Sequence, residues 1–60
     1  MINIIIVKAL YGDAVINVDE ISSIVPQNLS FMKCVIILKN KTTIDCTESP
    51  LTIYNKIQNL

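Results

Sequence analysis

Histidine, tryptophan and arginine are absent from this chain, and glycine and phenylalanine occur once each. Without an imidazole, neither Ser22 and Ser23 nor Cys34 and Cys46 has a base to activate it as a nucleophile. Two cysteines and no histidine fall short of a four-ligand zinc site. A single glycine, Gly12, cannot supply a loop whose backbone cradles phosphate. Two acid pairs remain, Asp19 with Glu20 and Asp45 with Glu48. The first reads as a solvated corner. The second offers one acid, Asp45, whose strand face is open at this level, and one acid alone is no active site. The reading is therefore not an enzyme, with no catalytic residues, no cofactor and no metal. The charge balance is zero, from five lysines against five acids. A nucleic-acid module is expected to carry a basic stripe, with arginine as its favoured base reader, and neither is present.

Sixty residues make one small domain, taken here as residues 1–60. A domain of that size buries only about 60% of the surface its unfolded chain exposes, so it needs a staple. Sparse cysteines and no signal-peptide pattern after Met1 point to a reducing, cytoplasmic setting with the thiols as buried small hydrophobes. The apolar run from Ile4 to Val7 is too short to span a membrane. Oligomerisation is the staple that is left.

What is present is organised around a hairpin. Cys34-Val35-Ile36-Ile37-Leu38 is an apolar, β-branched run, Lys39-Asn40-Lys41 is a polar break, and Thr42 to Thr47 alternates. A three-residue loop puts Cys34, Ile36, Leu38, Ile44 and Cys46 on one face. A two-residue loop, Asn40-Lys41, exchanges faces on one strand. The three-residue loop gives the cleaner apolar face, but it needs a residue in the left-handed region at Lys41, where glycine would be better. Both registers are open at this level.

In chain order, Ile2 to Ala9 reads as a strand apolar on both faces, Leu10 to Asp13 as a turn, and Ala14 to Val18 as a second strand. Asp19-Glu20 is a corner. Ile21 to Val25 is a third strand, which Pro26 ends or confines to a sheet edge. Gln27 to Met32 reads as a loop anchored by Phe31 and Met32, either as core rim or as an exposed docking patch. Ser49-Pro50 is a helix start, with Ser49 as N-cap and Pro50 in the first turn. Leu51, Tyr54, Ile57 and Leu60 recur at helical spacing, flanked by Ile53, so a helix spans about 50–59. The fold class is mainly β: a small antiparallel five-stranded meander followed by one C-terminal α-helix.

One helix covers one sheet face, yet the first and central strands are apolar on both. Under the three-residue loop, Ile5, Val7, Val35 and Ile37 are among the residues left over. Fully burying an aliphatic side chain is worth roughly 1.5–3 kcal/mol, so four left wet would forfeit a sum comparable to the stability of a small domain. These four, with Phe31 and Met32, form the candidate interface for a homo-oligomer and for another protein. The alternative is a nucleic-acid-binding regulator. Lys33, Lys39 and Lys41 near one hairpin end would then repeat around an oligomer axis and sum their fields, as in a ring binding single-stranded RNA.

The order Val18-Asp19-Glu20-Ile21, an apolar strand, Val35-Ile36-Ile37-Leu38-Lys39-Asn40-Lys41, then Ile44 and Glu48-Ser49, resembles the FlbD/SwrD group of small flagellar and motility-associated proteins. The resemblance covers most of the chain, mainly at apolar positions. Asn40-Lys41 stands where that group usually has Asn-Gly or Asp-Gly. It implies a small accessory protein without catalysis. The same pattern is similar to the core of LytTR-type DNA-binding domains, which are longer and read DNA from basic loops that do not map onto this chain. Neither resemblance assigns a functional residue here.

Overall fold

A computed structural model describes residues 3–27 and 30–60, without the side chains of Ser30 and Phe31. The strand start expected at Ile2, the loop residues Asn28 and Leu29, and the Phe31 side chain lie outside the described residues. Among the described residues, β1 (Ile4–Ala9), β2 (Gly12–Asn17), β3 (Ile21–Gln27), β4 (Ser30–Leu38) and β5 (Thr43–Cys46) form one antiparallel sheet. The helix α1 (Pro50–Gln58) follows. This is the mainly-β, five-strand-plus-helix class that the sequence patterns indicate.

The central hairpin takes the three-residue loop. Cys34 faces Cys46 and Ile36 faces Ile44. The Leu38 N–H donates to the Thr42 carbonyl (2.9 Å), and the Lys41 N–H closes the turn on the Leu38 carbonyl (2.9 Å). Lys41 carries a φ of 72°, the left-handed conformation this loop demands. The Asn40 side-chain oxygen offsets part of that strain by accepting the Thr42 N–H at 3.0 Å. In the first hairpin the loop is Leu10-Tyr11, followed by Gly12 at φ 131°, so β2 starts two residues before the expected Ala14. Phe31 and Met32 belong to β4, not to a loop. β-Branched Val25 and Val35 pair across the β3–β4 ladder and extend it towards them.

The strand order is β2-β1-β5-β4-β3. Sequential strands pair everywhere except at β2 and β3, which occupy opposite edges. In a flat sheet those edges would stand about 19 Å apart, four interstrand spacings. The three-residue 3₁₀ turn Val18–Glu20 joins them, and the chain from Asn17 to Ile21 reaches at most about 14 Å. The sheet must therefore curl until its edges approach at this end. The Val18 N–H bonds the Asn3 carbonyl beside β1, while the Glu20 carbonyl accepts the Lys39 N–H beyond β4, both at 2.8 Å. The short turn is thus stitched to both halves of the sheet. Asn17 caps it by accepting the Asp19 N–H on its side-chain oxygen.

Curling gives the sheet an inner face that one short helix suffices to close. Ile5, Val7, Ile16, Cys34, Ile36 and Cys46 line it, and Ile53 of α1 packs down on them, all buried. The expected helix stripe is displaced. Leu51, Tyr54 and Leu60 are exposed, and Ile53 and Ile57, one turn apart, face the core. Two candidate stripes differ by about one residue on so short a helix, and the position of the Ser49-Pro50 start against the sheet decides between them.

Candidate interaction surfaces

Pairing register assigns every strand side chain to a face. Ile5 pairs with Ile16 and Val7 with Ala14 on the inner face, so Ile5 (4% exposed) and Val7 (0%) belong to the core, not to the candidate interface expected from the sequence. The reason is the β1–β2 register, which turns the odd-numbered residues of β1 inward. The left-over apolar residues of β1 are instead Ile4 and Ile6. Ile6 lies opposite Val15 of β2 on the outer face, 56% and 68% exposed.

Val35 and Ile37 do point outward, half-buried, next to exposed Val25 on β3. Among the described residues the outer face thus carries two apolar patches, Ile4–Ile6–Val15 and Val25–Val35–Ile37. Exposed Thr43 and Asp45 of β5, across from Ile37 and Val35, lie between them. Asp45 is therefore on the open face. Met32 is exposed.

The three lysines do not form one patch. Lys39 and Lys41 sit exposed at the hairpin tip, while Lys33 lies at the other end of β4. An extended strand places residues 33 and 39 about 20 Å apart. The cluster expected near one hairpin end is split by that extension.

A different charged group organises the fold. β1 and β5 pair only around Ala9 and Cys46, held by the Leu10 N–H on the Asp45 carbonyl (3.0 Å) and the Thr47 N–H on the Lys8 carbonyl (2.8 Å). Beyond this point the strands part, and Glu48 continues the ladder with its side chain. Its Oε1 accepts the Lys8 N–H at 2.7 Å and the Lys56 ammonium of α1 at 2.7 Å. Lys56 Nζ also donates to the Ile6 carbonyl at 2.7 Å. Burial pushes the Glu48 carboxyl up, but the Lys56 and Lys8 hydrogen bonds and the charge of both lysines outweigh it and leave the carboxyl below its ordinary range. This bridge locks helix, first hairpin and central hairpin together. Sequence reading treats Glu48 only as half of an acid pair and as part of a Glu-Ser step, since nothing in a linear pattern shows that a side chain completes a β-ladder.

Cys34 and Cys46 are free thiols facing each other in the core. Burial pushes the Cys46 thiol up to about 12, with Cys34, Glu48 and Asp45 adding to it. Burial also raises Cys34, against a hydrogen bond with Cys46 that lowers it. Thiols of this kind are inert. An open groove of about 380 Å³ lies at the tip of the first hairpin, lined by Leu10, Tyr11, Asp13, Thr43 and Asp45 among others. It brings together two carboxylates, of Asp13 and Asp45, and the Tyr11 phenol. Among the described residues no three His, Cys, Asp or Glu side chains gather as metal ligands, and no helix is long and apolar enough to cross a membrane.

The class defined by these observations is a curled antiparallel sheet closed by one terminal helix, with apolar groups left on its outer face. No family model, no curated protein and no solved structure matches the chain.

Proposed function

We propose that this is a non-enzymatic assembly or accessory protein of the cytoplasm, acting by self-association and by docking another protein through the outer face of its sheet. The observation that carries this reading is the outward, exposed placement of Ile4, Ile6, Val15 and Val25 on paired strands. Grouped apolar side chains held in water by a fixed backbone lose the free energy of burial until a partner covers them. The likeness of pattern to the FlbD/SwrD group agrees with an accessory role. The test is the double variant Ile6→Lys with Val25→Lys. Both side chains are solvent-facing, so circular dichroism should show an unchanged fold while sedimentation shows self-association lost. A folded double variant that associates like the wild type would refute the outer face as the working surface.

A further inference from the structure

We infer that a second copy of this chain docks on the free edge of β2, pairing antiparallel about Val15, so that two sheets join into one. The inference rests on the self-association reading above and names its geometry. The backbone groups of Ile6 and Lys8 on β1, and of Leu10 just after it, turn away from β2, bonding Lys56 of α1, Glu48 and Thr47, and Asp45 of β5. The odd-numbered residues of β1 turn theirs to β2. Alternation along an antiparallel pair then directs the N–H and C=O of Asp13 and Val15, and the N–H of Asn17, to the open edge. The Asn17 carbonyl is engaged in starting the 3₁₀ turn that Asn17 caps.

The two edges of the sheet differ in protection. On β3, the backbone groups of Ser23 and Val25 serve β4, which leaves Ile24 and Pro26 facing outward, and Pro26 has no N–H to offer. Register shifts at both ends of β3 irregularise that edge further. β2 has no proline, no lysine and no bulge, the devices that ordinarily blunt an edge.

The sequence of β2 also complements itself. With Val15 on the two-fold axis, Val15 of each copy exchanges two backbone hydrogen bonds with Val15 of the other. Each Asn17 N–H meets the Asp13 carbonyl of the second copy. The only charge on the strand, Asp13, faces a neutral Asn17, so no like charges oppose. On the outer face Ile6 and Val15 of one copy continue into Val15 and Ile6 of the other as one apolar stripe. An isologous contact of this kind closes at two copies.

The experiment is sedimentation of the full chain over a concentration series, with amide hydrogen exchange, on wild type, Val15→Pro and Val15→Lys. Val15 donates nothing to β1, so proline there removes the outward donor and spares the internal ladder, and Val15→Lys serves if the proline variant loses its β-sheet circular dichroism signal. The expected result is a wild-type dimer of twice 6.7 kDa, monomeric folded variants, and slow, concentration-dependent exchange of the Asp13, Val15 and Asn17 amides in the wild type alone. A wild-type dimer that persists in a folded Val15 variant, or fast exchange of those amides in the dimer, overturns the β2 edge while leaving self-association standing. A wild type monomeric throughout overturns both.

Discussion

Removing the Glu48 carboxylate should be among the most costly single changes outside the apolar core. In Glu48→Ala, the Lys8 N–H and the Lys56 ammonium both lose their acceptor. A hydrogen bond to a charged group contributes about 1.5–3 kcal/mol. The Glu48 side chain is 13% exposed, but Lys56 is 32% exposed, so solvent screens its share and the low end applies there. The expected loss is about 2–4 kcal/mol, against roughly 3–9 kcal/mol for a whole domain of this length. Glu48→Gln keeps an oxygen acceptor and loses only the charge, so about 1 kcal/mol should go.

Urea unfolding at pH 7 measures both as midpoint shifts at unchanged slope. The pH dependence supplies a second reading. The folded carboxyl lies below its unfolded value, so its stabilisation is fully present above the unfolded pKa of about 4.3 and is lost as pH falls through the folded pKa. The gap between wild type and Glu48→Gln should therefore hold near neutrality and close on acidification. A Glu48→Ala protein within about 0.5 kcal/mol of wild type, the range of an ordinary surface change, or a Glu48→Gln gap that stays constant into acid, would refute the bridge.

Three further outcomes follow from local geometry. Ser49 accepts the Thr52 N–H at 3.1 Å as the helix N-cap, and Ser49→Ala should lower the urea-derived stability by about 1 kcal/mol; an unchanged midpoint would place the cap elsewhere. Lys41→Gly should raise the melting temperature, because glycine adopts the left-handed φ of residue 41 without the roughly 1 kcal/mol steric cost a side chain incurs there; a lowered one would contradict the loop. A thiol reagent at pH 8 should label neither Cys34 nor Cys46 until denaturant is added, and rapid native labelling of either would show that the inner face is open.

The hairpin was legible because two β-branched runs flank a polar break, but its register was not: the apolar pattern favoured the three-residue loop, the lack of glycine at Lys41 kept the two-residue loop open, and the structure decides for the former. The Ser49-Pro50 start was legible because capping chemistry is local. The faces of β1 were not, since Ile4, Ile5, Ile6 and Val7 are all apolar and carry no alternation to read. The register against β2 had to decide them. Of the two outcomes open for Pro26, ending the strand or confining it to an edge, the structure shows the second, with β3 running through Pro26 to Gln27 at the sheet edge. The curl that brings the ends of β2 and β3 within reach of the 3₁₀ turn depends on a chain-length constraint between elements that no residue pattern records. Glu48 was invisible for the same reason, as its partners lie 40 and 8 residues away in sequence.

The claim that this protein works by associating through its outer sheet is tested most directly by sedimentation equilibrium of the wild-type chain from low micromolar to hundreds of micromolar. The apparent mass should rise with concentration above the 6.7 kDa of one chain. A single species of 6.7 kDa at every concentration would contradict the claim.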